Sequence, residues 1–122
     1  MELVSKSKPE EMRDRTKRFA LRVIRLFRAL PRTEEARILG KQVLRSGTSV
    51  AANYRALCRA RSRAEFIAKL GIVVEETDET VFWLELLVEA AILSPLRLQS
   101  LLKEANELLA IFGASQRTAK VR

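Results

Sequence analysis

The sequence predicts an all-α fold, an antiparallel up-down-up-down four-helix bundle, from three observations. Four segments repeat apolar residues at alternating spacings of three and four, no stretch alternates with the period of two that a half-buried strand needs, and the breaks between segments are short. Short connections turn consecutive helices back on one another. The 122 residues suit one domain, expected over residues 10–113, between a loose segment 1–9 and a loose basic tail 114–122.

The first helix is expected over residues 10–30, where Met12, Thr16, Phe19, Val23, Leu26 and Leu30 form one stripe and Pro31 ends it. Thr33 before Glu34, Glu35 and Ala36 has the form of an N-cap with acidic residues in the first turn, favoured by the positive helix end. The second helix follows to residue 59, with Leu39, Val43, Gly47, Val50, Tyr54 and Leu57 inward. Ser62-Arg63-Ala64-Glu65 fits a capping box and starts the third helix, expected to reach residue 93. Phe66, Leu70, Val73, Thr77, Leu84, Leu87 and Ala91 form one of its stripes, and Ile67, Val74, Val81 and Val88 a second at intervals of seven. A helix apolar over so wide an arc needs cover on more than one side, from neighbouring helices or another subunit. Ser94-Pro95 caps the fourth helix, which packs Leu98, Leu101, Leu102, Ala105, Leu108, Leu109 and Phe112 inward and is expected to stop at Gly113.

The middle of the second helix is unusual, because Ser46, Gly47, Ser49, Ala51, Ala52 and Asn53 stand where larger residues are normal. Gly and Asn each cost about 0.5–1 kcal/mol relative to Ala inside a helix, so a close contact must offset them. Either a neighbouring helix approaches closely, or Ser49 and Asn53, one turn apart, bond across a contact. The candidate contact set is Gly47, Ser49, Asn53, Tyr54, Phe66, Val74 and Val81, with contacts inside one chain and between subunits equally open.

Charge divides the chain. Residues 1–69 carry 18 basic and 7 acidic side chains, residues 70–112 carry 2 and 8, and the last ten add three basic residues to an overall +8. Such asymmetry favours an anionic partner, RNA or DNA, or pairing of opposite faces between copies. Candidate nucleic-acid contacts are Arg18, Arg22 and Arg25 on the first helix, and Arg45, Arg55, Arg59, Arg61 and Arg63, expected to converge near the capped start of the third. With only Tyr54 and Phe66 as nearby aromatics, binding is expected to be electrostatic and salt-sensitive.

Catalysis finds little support. Histidine is absent, which removes the usual general base and transition-metal ligand. Glu75, Glu76, Asp78 and Glu79 form an acidic cluster, but the Glu-x-x-His motif of di-iron bundles is missing, and these carboxylates are expected to face solvent or arginine. Cys58 has no CxxC partner, and Gly40, Gly47, Gly71 and Gly113 are isolated, so neither a redox motif nor a phosphate loop is present. No enzyme activity, cofactor or metal is expected. The charged first 18 residues do not resemble a signal peptide and no apolar run nears the roughly 18 residues of a spanning helix, so a soluble cytoplasmic protein without membrane contact is expected.

Arg45, Ser49 and Asn53, followed by Arg61, Ser62, Glu65 and Phe66, resemble the hallmark of the four-helix bundle family also called 23S rRNA-intervening sequence proteins. That hallmark runs Arg-x-x-x-Ser-x-x-x-Asn, then Arg-x-Ser-x-x-Glu-Phe. Here the second arginine is offset by one, with Ala60 in its place, and Tyr54-Arg55-Ala56 replaces the family's more apolar wording. Glu76, Glu79 and Trp83-Leu84-Glu85 resemble its third helix, and the similarity spans residues 19–112. The resemblance implies a homopentamer of four-helix bundles with no attached enzyme activity. It also implies a link to ribosomal RNA insertions or, in a related branch, to the accessory variability determinant of diversity-generating retroelements, which binds a reverse transcriptase and nucleic acid. An alternative function is a scaffold for an acidic protein partner.

Overall fold

The computed structural model describes residues 6–121, and the expected loose segment 1–9 and the end of the 114–122 tail lie partly outside the described residues. Four helices, α1 (Lys8–Ala29), α2 (Glu34–Leu57), α3 (Arg63–Glu89) and α4 (Pro95–Val121), make up the fold, with no strand among the described residues. Each start is set by a short polar side chain that serves a free first-turn amide. Ser7 Oγ accepts from Glu10 N at 3.3 Å, Thr33 Oγ1 from Ala36 N at 3.3 Å, Ser62 Oγ from Glu65 N at 3.1 Å, and Ser94 Oγ from Arg97 N at 3.4 Å. Only one half of the expected capping box forms at Ser62, because the Glu65 carboxylate turns toward Arg61 Nε at 3.8 Å.

α2 packs against α1 and α3, and α3 packs against α4. Val23 meets Gly47 while Phe27 and Leu30 meet Gly40, so advancing along α1 moves back along α2. At Gly47 the fit is close: a Cβ would lie 2.8 and 2.9 Å from the two methyls of fully buried Val23. That contact is why a glycine sits in mid-helix despite its conformational cost. On the α3 side, buried Thr80 Oγ1 lies 2.8 Å from buried Ser46 Oγ and 2.7 Å from Glu76 O. Burial of two hydroxyls is tolerable because they serve each other and the helix carbonyls. Phe19, Val23, Val43, Val50, Leu70, Val73, Leu84, Leu87, Leu98, Leu108 and Phe112 fill the core.

Several expected contacts fall inside the chain. Tyr54 stacks on Phe112 of α4 with ring centroids 5.6 Å apart, Val81 is buried, and Val74 packs against the core. Asn53 Nδ2 donates to Ser49 Oγ at 2.8 Å and to Ser49 O at 2.9 Å, so this pair bonds along α2 and not across a contact. Phe66, in the first turn of α3, remains partly exposed.

α1 begins at Lys8, two residues inside the segment expected to be loose, because Ser7 caps it, α2 ends at Leu57, two residues short of residue 59, and two further helix ends differ by more. α3 stops at Glu89, four residues early, because Ala91 takes a left-handed φ of 58°. Ala91 N donates to Val88 O and Ile92 N to Leu87 O, both at 3.0 Å, the paired bonds of a Schellman close that usually carries glycine at this position. α4 does not stop at Gly113 but runs on to Val121, eight residues past it. Gly113 keeps an ordinary negative φ, nothing between residues 114 and 121 breaks a helix, and Arg63 Nη2 donates to Ala119 O at 2.7 Å, satisfying a carbonyl at the helix end.

Candidate nucleic-acid interface

The end of the molecule where α2 leads into α3 also holds the last turns of α4, as the bond from Arg63 to Ala119 shows. It holds the early part of α1 too, since Arg13 and Lys17 line one surface groove with Arg55 of α2. Arg13, Lys17, Arg55, Arg59, Arg61, Arg63, Arg117 and Lys120 are all exposed there. Arg55 and Arg59 pair with no carboxylate among the described residues, and Arg61, with 89% of its side chain exposed, only approaches Glu65. Arg63 is held by α4 through its backbone bond, which keeps its charge while fixing its position. Unpaired guanidinium groups on short helix ends suit planar contact with phosphate oxygens.

Arg45 is not part of this end. It stands ten residues before Arg55, about 15 Å along a helix, and forms ion pairs with Glu76 at 3.1 Å and with Glu79. Glu79 also accepts from Trp83 Nε1 at 3.1 Å, and hydrogen bonding to Arg45 and then Trp83 holds its carboxyl below the usual range. The acidic run therefore divides, with Glu76 and Glu79 turned to Arg45 while Glu75 and Asp78 face solvent.

The three α1 candidates separate as well. Arg22 is half-buried and donates to Ser100 Oγ at 2.9 Å, and with Arg25 and Arg97 it lines a groove between α1 and α4. Arg18 stays exposed beside a hollow that it shares with Lys8 and Arg15. Arg15 itself joins α1 to α4 through two bonds to Glu104, at 2.7 and 2.9 Å, and one to Glu107 at 2.9 Å. That bonding lowers the Glu104 pKa against the opposing effect of burial. At the α2 end, half-buried Tyr54 has its hydroxyl pKa pushed up to about 12, first by burial and then by neighbouring Cys58.

Arg117 and Lys120, expected in a loose tail, are cations that the continuing α4 brings to this end. The available signal was the run from Ala114 to Val121, free of proline and further glycine and compatible with another two turns of helix. Among the described residues no helix is long and apolar enough to cross a membrane.

A four-helix protein with a concentrated basic end is the class that fold and surface define. The chain belongs to the 23S rRNA-intervening sequence protein family, whose model matches residues 10–114. It is similar to a solved protein of unknown function from the S23 ribosomal protein family of Bacteroides thetaiotaomicron VPI-5482. The two are 33% identical, the match covers 91% of this chain and 99% of the other, and the TM-score is 0.83. A comparison with curated proteins returns no match.

Proposed function

We propose that this protein is a non-catalytic cytoplasmic oligomer, a homopentamer of up-down-up-down bundles, that binds structured RNA or DNA through its basic end. The observation that carries this reading is the gathering of eight exposed cations from all four helices at one end, two of them brought there by the extended α4. Phosphate contacts of this kind release condensed counterions and give salt-dependent affinity with little sequence preference. Several such ends on one assembly would add avidity without any new contact type. The opposed register of α1 and α2 supports the up-down arrangement, and the family supports a tie to ribosomal RNA.

The test is binding of a structured RNA across a salt series, with Arg59→Glu, Arg61→Glu and Arg117→Glu combined in one chain. A second triple variant, Arg28→Glu, Arg32→Glu and Arg37→Glu, makes the same charge change outside the basic end. The first variant is expected to lose at least about tenfold in affinity and to flatten the salt slope, and the second to change both far less. Equal losses in the two would reduce the effect to net charge. A flat salt response in the unmodified protein would overturn the reading, and one acidic protein recovered after nuclease treatment would support the scaffold alternative.

A further inference from the structure

The outer stripe of α3 joins an exposed aromatic ring to carboxylates of one sign. Glu75, Asp78, Phe82, Glu85 and Glu89 recur at spacings of three and four, and all are exposed. Phe82 is 50% exposed, with its ring edge-on to Trp83 at a centroid distance of 5.0 Å, and partly exposed Ile72 lies beside the stripe. No lysine or arginine occurs between Lys69 and Arg97, and among the described residues the four stripe carboxylates form no ion pair. Inside the chain α3 packs against α2 and α4 only, so this side is left without cover.

A complementary face lies between α1 and α2. Ala51 and Ala52 floor a shallow groove of about 410 Å³, and Arg13, Lys17 and Arg55 stand along it. Asp14 also lines the groove, but its carboxylate is taken by Lys6. Leu21, 44% exposed, extends the apolar surface one turn beyond Lys17. The floor leaves room for an aromatic ring, and the cations flank it as the carboxylates flank Phe82.

We propose that the α3 stripe of one copy of this chain docks into the α1–α2 groove of a second copy, with Phe82 over Ala51 and Ala52 and Glu75, Asp78 and Glu85 facing Arg13, Lys17 and Arg55. This rests on the oligomer reading above and names the interface. Because the two surfaces are different, the contact is head-to-tail, and each copy offers one face to each neighbour, a geometry that closes into a ring when the rotation between copies divides a full turn. Opposite charges along the contact set its register. Docking covers Arg13, Lys17 and Arg55, and Arg59, Arg61, Arg63, Arg117 and Lys120, outside the groove lining, are the five of the eight cations at the basic end that stay available to phosphate.

Two full-length variants test it. Phe82→Lys disables the stripe and leaves the groove intact, whereas Ala52→Arg fills the groove and leaves the stripe intact. Each alone is expected to show a mass near 13.9 kDa by light scattering, and an equimolar mixture is expected to form a one-to-one complex of about twice that mass. A mixture that stays monomeric, or either variant keeping the wild-type mass, overturns the interface while the oligomer reading survives. An unmodified protein at 13.9 kDa removes the oligomer reading, and this inference with it. Should circular dichroism show lost helicity in the first pair, charge reversal decides. Glu75→Lys with Asp78→Lys is expected to give monomers, and adding Arg13→Glu with Lys17→Glu to restore the wild-type mass. Failure to restore it overturns the proposal.

Discussion

The inner faces of α2 and the outer stripe of α3 treat their unusual residues in opposite ways. On α2 three of the small and polar residues are accounted for within the chain: Gly47 by the methyls of Val23, Ser46 by Thr80, and Asn53 by Ser49. On α3 a large aromatic residue stands among carboxylates on the side that no other helix covers. A small residue in mid-helix thus reports on the nearest neighbour inside the fold, because backbone approach is limited by Cβ atoms and their branches. An exposed ring ordered among charges reports on surface outside it.

Substitutions on the two helices sharpen this contrast. The largest loss is expected on the inner side of α3, where Leu84 is fully buried, and Leu84→Ala should cost about 2–5 kcal/mol in chemical denaturation. Gly47→Ala comes next. Overpacking against Val23 should cost about 1–3 kcal/mol, partly offset by about 1 kcal/mol of better helix propensity. At Gly40 the nearest obstacle is the tip of the Leu30 side chain, which can turn away, so Gly40→Ala should be close to neutral by the same measurement. A Gly47→Ala protein as stable as the wild type would break the account of the α1–α2 contact.

Ala91→Gly should stabilise the chain by about 0.5–1 kcal/mol, since glycine adopts the left-handed φ without the Cβ penalty. The denaturation midpoint at fixed chain concentration checks this. The smallest effect concerns acid. Glu104 and Glu79 have folded pKa values below the ordinary 4.5 because each bonds an arginine, so their contribution is complete above that value and is lost as pH falls through the lowered folded pKa. Glu104→Gln should cost about 1 kcal/mol or less at neutral pH, because the pair is partly solvated, and should weaken the stability loss on acidification. A pH titration of stability for the two proteins gives the comparison.

The four helices and the starts of α2, α3 and α4 were legible because caps and apolar spacing act within a few residues, whereas α1 starts at Lys8 on a Ser7 cap inside the segment expected to be loose. Ser62 and Thr33 each serve an amide three residues on, as their sequence contexts implied. The close of α3 was not legible, since alanine at the left-handed position gives no local signal and only the bonds to Val88 and Leu87 hold it there. Gly113 misled for the opposite reason. It has the residue type of a helix stop, while packing of the last turns and the bond from Arg63 favour continuation. Of the candidate residues, Arg55, Arg59, Arg61 and Arg63 are exposed from the last turn of α2 to the start of α3, whereas Arg45 meets Glu76 and Glu79 31 and 34 residues away.

By itself, the sequence determined the helical class, the number of helices, the starts of α2, α3 and α4 and the split of charge along the chain, because these depend on spacing, capping and composition. Only the tertiary structure decided which charges are neutralised, which small residues face a neighbour and which end becomes basic. Those outcomes depend on residues distant in sequence meeting in space, as Arg45 meets Glu79 and Arg63 meets Ala119. Local pattern carries no record of such meetings.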